Sequence, residues 1–160
     1  MIFPLFGTMV LGPYQLGFQI FSIAMLLPNI VIQYTLPHDA IGAKNIKLKK
    51  IAVIVCIIIT VLAILGAPII IPEIFPEFKE SVKVVQIMSL ALIPSSLSVL
   101  YSSELLGSER SKIVLFGAII GISVIVIGIF TLGKHYGLVG LTASFVIAKI
   151  AEFLFLHIKK

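Results

Sequence analysis

Polar side chains within long apolar runs are the residues of this sequence that could do chemistry. In the first such run, Gln15, Gln19, Ser22, Asn29 and Gln33 fall at offsets of 0, 4, 7, 14 and 18. On a helix that turns by about 100° per residue they share roughly 80° of arc and form one polar stripe. The stripe has two interpretations: hydrogen bonds that hold neighbouring helices together, or one wall of a water-filled cavity through which a polar substrate passes.

A later apolar run carries a second polar surface next to a proline. Three of its serines share one helix face, namely Ser95, Ser98 and Ser102. Pro94 lacks the N–H that would bond the carbonyl of Leu90, so it is predicted to kink the helix. The cluster is either a structural kink with small residues for close packing or a hinge that lines a cavity. Pro28, in the first run, is a second hinge candidate.

The last apolar run holds two charged residues. Lys149 lies 12 residues after Gly137, about 18 Å along a helix, which places it near the middle of a bilayer. Glu152 is one turn further on the same face. A charge at that depth costs at least about 2.5–3.5 kcal/mol, so both residues are predicted to face the protein interior. They either neutralise each other as an ion pair, or Lys149 binds an anionic substrate, or Glu152 is a proton or cation site.

The sequence contains none of the patterns that commonly mark an active site. It has no nucleotide-binding loop, no G-x-S-x-G nucleophile elbow and no H-E-x-x-H metal motif. No histidine lies near the serines to act as their base, and His135 and His157 are predicted to be interfacial residues rather than metal ligands. Cys56, the single cysteine, is predicted to be buried. We therefore expect no enzymatic activity, no metal and no cofactor.

The composition is that of a membrane protein. Of the 160 residues, 59% are hydrophobic and only 12% are charged, and the mean hydropathy is +1.20. Soluble domains carry about 25% charged residues, so this chain lacks the groups to cover a water-facing surface. The net charge of +5 comes from basic residues near the ends of apolar runs, which favours lipid headgroups over nucleic acid as their partners.

The elements that position these residues are predicted to be transmembrane helices. The apolar runs are about 20 residues long, the length that crosses a bilayer, whereas buried strands run about 4–8 residues. We predict an all-α, polytopic bundle in one domain over residues 1–160, with a break at Gly12–Pro13. Gly117 and Gly121 are expected to allow close helix packing. One partial span covers about 2–11, and five full spans cover about 14–36, 48–71, 82–106, 112–133 and 138–158.

The basic residues predict how the bundle is oriented. Alternate loops lie on opposite sides of a bilayer, and the side richer in Lys and Arg is cytoplasmic. One side has eight basic residues: Lys44, Lys47, Lys49, Lys50, Arg110, Lys112, Lys159 and Lys160. The other side has three: Lys79, Lys83 and Lys134. We therefore predict a multi-pass protein of the cytoplasmic membrane, with the Lys44–Lys50 loop, the Arg110 loop and the C-terminus inside the cell.

Three segments, in order, resemble Wzx-type oligosaccharide flippases, which are polysaccharide biosynthesis proteins. They are LGPYQLGFQIFSIAMLLPNIVIQYTLP, PEIFPEFKESVKVVQIMSLALIPSSLSVLYSSELLGSERSK and HYGLVGLTASFVIAKIAEF. The similarity covers essentially the whole chain. That family belongs to a superfamily with multidrug/cation antiporters (MATE proteins) and lipid II flippases, built as two six-helix lobes around a central cavity without ATP hydrolysis of their own.

The resemblance implies that the chain is the C-terminal lobe of such a flippase. Its expected partners are membrane lipids, a lipid-linked oligosaccharide substrate, and an N-terminal lobe or partner subunit. The two polar surfaces would line the path for the sugars, and Lys149 would meet the diphosphate of the lipid carrier. One alternative is the lobe of a cation-coupled multidrug exporter, in which Glu152 carries the coupling ion. The other is a non-transporting membrane subunit or truncated remnant whose polar residues only pack helices.

Overall fold

The described part of the chain, residues 8–40 and 46–159 of a computed structural model, consists of helices and turns without a β-strand. The all-α prediction is therefore confirmed for these residues. The seven α-helices of these residues are α1 (Thr8–Ala24), α2 (Leu26–Ala40), α3 (Ile46–Ile74), α4 (Ser81–Ser89), α5 (Leu92–Gly107), α6 (Ser111–Gly128) and α7 (Lys134–Lys159). A 3-10 turn at Pro76–Phe78 precedes α4, and a π-helical segment, Ile129–Gly133, joins α6 to α7.

Four helical stretches of the described residues are long and apolar enough to cross a membrane. Their outer surfaces carry large apolar side chains, such as Leu62 and Leu65 on α3 and Ile122 on α6, each more than 60% exposed. Water would disfavour such a surface, whereas lipid matches it. The chain therefore has the character of a membrane-embedded bundle. The four stretches are Leu11–Val31, Ile46–Ile74, Ser81–Gly107 and Ser111–Lys159.

The longest stretch, Ser111–Lys159, is a helical hairpin. Its backbone leaves the helical conformation at Gly137, where φ is +56° and ψ is −129°, and the two arms then pack side by side. Small residues make this contact close, as the predicted G-x-x-x-G pattern indicated. The two arms are antiparallel: a Cβ at Gly117 would lie 3.0 Å from Leu156, one at Gly121 would lie 3.3 Å from Glu152, and one at Gly128 would lie 2.6 Å from Ser144.

The predicted break at Gly12–Pro13 is wrong, because α1 runs through both residues. Pro13 removes a single backbone hydrogen bond, and the rest of the helix is retained. Gly12 instead serves close packing, since a Cβ there would lie 2.8 Å from Cε1 of Phe78. The predicted partial span at 2–11 falls mostly on residues 2–7, outside the described part of the chain.

Two helix interruptions precede the predicted hinge prolines. The predicted kink at Pro94 is confirmed, because α4 ends at Ser89 and α5 begins only at Leu92. The interruption contains Leu90, whose carbonyl receives no hydrogen bond from Pro94 because proline has no N–H. Pro28 likewise follows a one-residue interruption at Met25 between α1 and α2. By contrast, α3 continues as one helix through Pro68.

The loops lie at two opposite ends of the bundle. At one end, Lys49 Nζ is 3.1 Å from Glu104 Oε1, which joins the start of α3 to the end of α5. At the other end, Lys79 and Tyr136 line one cavity, which joins the turn before α4 to the turn of the hairpin.

The hairpin turn generates a prediction about Gly140. A Cβ at this position would run into the backbone carbonyl of Leu132 in the π-helical segment, which cannot rotate away. We expect Gly140→Ala to lower the free energy of unfolding by about 1–3 kcal/mol, the usual cost of overpacking. Thermal unfolding can be followed with a thiol-reactive fluorophore, because the single cysteine, Cys56, is only 1% exposed when the protein is folded.

The matched control for this prediction is Gly66→Ala. A Cβ there meets only the Cδ1 atom of Ile70, at 3.3 Å, and that side chain is exposed and free to turn. Equal unfolding temperatures for the two variants would contradict the proposed role of Gly140.

Candidate functional site

A polar cavity of about 240 Å³ lies where α1, α2, α5 and α7 meet. Its apolar lining includes Phe21 and Met25, which belong to the main hydrophobic core. The ring of Phe21 packs edge-on against Phe145 of α7, with 5.0 Å between the ring centroids, and this contact fixes α1 against α7. Six of the ten cavity residues predicted from the sequence line it together: Ser22, Asn29, Ser95, Ser98, Lys149 and Glu152.

The remaining members of the first polar stripe lie outside this cavity. Gln15, Gln19 and Gln33 are exposed on the same side of α1 and α2 as Ser22 and Asn29, which are exposed at the cavity. Ser22 donates a hydrogen bond to the carbonyl of Phe18 in its own helix, at 2.8 Å. The amides of Gln15, Gln19, Asn29 and Gln33 form no hydrogen bond within the described residues.

The serines of α5 divide into two groups. Ser95 and Ser98 line the cavity and are only 3% and 2% exposed, and within residues 8–40 and 46–159 their hydroxyls have no hydrogen-bond partner. A buried hydroxyl without a partner costs about 1–3 kcal/mol, so both groups are suited to bind water or a polar ligand. Ser102 is partly exposed and does not line the cavity.

Lys149 and Glu152 form the predicted ion pair. The ammonium Nζ of Lys149 is 2.9 Å from Oε2 of Glu152, and the side chains are 32% and 19% exposed. Both residues also line a second cavity, of about 310 Å³, on the α6 side of α7. The pair therefore forms the wall between two cavities, and the close approach of Gly121 holds Glu152 in place.

This arrangement suits reversible binding of a polar ligand. The cavity offers two free hydroxyls, one amide and a pair of opposite charges in a small volume. Since Lys149 is only partly covered, its ammonium can bind an anion while it remains close to Glu152.

One ion pair is not evident from the sequence. Lys49 is counted there only among the basic residues of one side, and Glu104 belongs to none of the polar surfaces. The side chains of Lys49 and Glu104 are 10% and 26% exposed, so the pair is largely buried. The two residues are 55 positions apart, and no local pattern links them. The available signal is that the predicted spans 48–71 and 82–106 place both residues at the same side of the membrane.

The fold and the site together define an all-helical, membrane-embedded bundle with a polar, ion-paired cavity. No protein-family model matches the chain, and comparisons with curated proteins and with solved structures found no significant match.

The ion pair generates a prediction about stability. Lys149→Met and Glu152→Met should each lower the free energy of unfolding by about 1–3 kcal/mol, because each leaves one charge without its partner in a partly buried site. The double variant should recover most of that loss. Unfolding in detergent, reported by the reactivity of Cys56, measures all three.

Lys112→Met, on the exposed first turn of α6, is the matched control for removal of a positive charge. If the losses from the two single variants simply add in the double variant, the charges do not depend on each other.

Proposed function

We propose that this chain is the C-terminal lobe of a transporter that flips lipid-linked oligosaccharides across the cytoplasmic membrane for cell-surface polysaccharide. The observation that carries the proposal is the cavity that joins Asn29, Ser95, Ser98 and Lys149 inside a bundle with an apolar outer surface. The resemblance of three ordered segments to Wzx-type flippases supports the same function.

The proposed topology has five full spans and a partial sixth. In it, each arm of the α6–α7 hairpin crosses the bilayer separately, and the end of the bundle that carries Lys49 and Glu104 faces the cytoplasm. The antiparallel packing of the two arms supports this count. The excess of basic residues at the Lys49 end supports the orientation.

The exposed amides support a second lobe. Gln15, Gln19 and Gln33 would lose their hydrogen bonds to water if lipid covered them, at a cost of several kcal/mol for each group. A partner lobe or subunit that faces this side of α1 and α2 would leave the amides on a hydrated path between the lobes. We propose that this path carries the sugars, whose hydroxyls match amides and serines as donors and acceptors.

In the proposed mechanism, Lys149 binds the diphosphate of the lipid carrier while the sugars occupy the polar path. The two lobes then rock against each other, as in transporters built from repeats. The interruptions before Pro28 and Pro94 are the points at which the helices of this lobe would bend. The transport cycle proposed for this chain uses no ATP hydrolysis of its own.

A second candidate function is the lobe of a cation-coupled multidrug exporter. The observation that favours it is the position of Glu152, whose carboxylate borders both cavities. A proton or cation at Glu152 would compete with Lys149 for the carboxylate and so alter the wall between the cavities.

Thiol labelling tests whether the cavity is hydrated. In a Cys56→Ala background, which has no other cysteine, we expect Gln19→Cys and Asn29→Cys, both at exposed positions, to react with a membrane-impermeant maleimide, because water reaches the polar path. Leu62→Cys, on the lipid-facing side of α3 and 63% exposed, is the control and should stay unlabelled. Protection at both test positions would favour a non-transporting subunit or remnant.

A transport assay tests the role of Lys149. In proteoliposomes that contain this chain and its partner lobe, Lys149→Ala should slow the flipping of a fluorescent polyprenyl-diphosphate oligosaccharide at least about tenfold, because a charge-assisted contact is worth about 1.5–3 kcal/mol. Lys112→Ala should have no effect. Unchanged flipping would remove Lys149 from the mechanism, and ion-dependent efflux of a small cation that is lost in Glu152→Gln would favour the exporter.

A further inference from the structure

A third cavity lies at the opposite end of the bundle from the Lys49–Glu104 pair. It has a volume of about 570 Å³ and lies between the end of α3, the start of α4 and the hairpin turn. Two lysines line it, Lys79 and Lys83. The backbone from Lys79 into α4 is helical, so the two lysines lie one turn apart on the same face.

The charge of this cavity is positive. Lys79 and Lys83 are exposed, and neither forms an ion pair within the part of the chain that the structure describes. Glu80 also lines the cavity, so its formal net charge is about +1 at neutral pH. A ligand with a single negative charge matches this balance.

The rest of the cavity wall is apolar. Pro68, Leu138 and Val139 line it, and Pro68 lies six residues before the end of α3 at Ile74, about 9 Å along the helix. The cavity therefore extends from the level of the lysines toward the hydrocarbon. Tyr136, at the rim and 69% exposed, has the amphipathic ring that is typical of the membrane interface.

We propose that this cavity binds an anionic glycerophospholipid with a single net negative charge. The phosphate lies between the ammonium groups of Lys79 and Lys83, and one acyl chain packs against Pro68, Leu138 and Val139. Basic pockets between membrane helices bind lipid headgroups in this way. The site requires only that the chain lies in a bilayer, and it does not depend on transport of any substrate.

A tryptophan placed at the rim tests this site. The sequence contains no tryptophan, so Tyr136→Trp supplies a single fluorescent reporter in phosphatidylcholine vesicles. We expect brominated phosphatidylglycerol to quench this reporter at about 25-fold lower mole fraction than brominated phosphatidylethanolamine, because each of the two lysines contributes about fivefold to the binding of an anionic lipid. In Leu62→Trp, an exposed position near the middle of α3 and away from the basic residues at either end, the two lipids should quench equally.

The lysines are tested by two double variants with the same loss of charge. Lys79→Gln with Lys83→Gln should abolish the preference for phosphatidylglycerol at position 136, whereas Lys47→Gln with Lys50→Gln, both exposed at the opposite end, should retain it. Equal quenching by the two lipids in Tyr136→Trp alone would overturn the proposal. A preference for phosphatidylglycerol that survives in Lys79→Gln with Lys83→Gln would overturn it as well. Displacement of the lipid by glycerol 3-phosphate alone would also overturn it, because the site would then bind a free phosphate without the acyl chain.

Discussion

Hydrocarbon offers no hydrogen bonds and little screening of charge, and this constraint determines where every polar side chain of the bundle can lie. The Lys149–Glu152 pair satisfies it by neutralising two charges at a distance of 2.9 Å. Ser22 satisfies it by bonding the backbone of its own helix. The hydroxyls of Ser95 and Ser98 have no partner within the described residues. A buried hydroxyl without a hydrogen-bond partner near a charge pair is available to bind a polar ligand. The proposed transport path depends on this availability.

Close packing of α6 on α7 supports the polar cavity from the side of α7 that faces away from it. The glycines of α6 let Glu152, Leu156 and Ser144 approach its backbone, and the position of Glu152 in turn fixes Lys149. A bulky residue at Gly121 would contact the carboxylate of Glu152, which lines both cavities. The geometry of the polar cavity therefore depends on residues of a helix that does not line it.

Much of the fold could be predicted from the sequence, because the length of apolar runs and the chemistry of proline are local properties. The kink before Pro94 and the Lys149–Glu152 pair follow from spacing along one helix. The Lys49–Glu104 pair does not, since its partners are 55 positions apart and meet only through tertiary packing. The packing role of Gly12 cannot be predicted for the same reason, because it is set by Phe78, a residue from a distant turn.

The π-helical segment Ile129–Gly133 lies between the two arms of the hairpin, so the helical register of one arm does not continue into the other. A π-helical turn accommodates about one residue more than an α-helical turn over the same rise. The surplus residue lets the glycine-lined side of α6 keep its contact with α7 while the chain reverses at Gly137. A deletion of one residue from this segment would convert it into ordinary α-helix and leave the contact between the two arms in place. The same deletion within α6 would rotate its glycines away from Glu152.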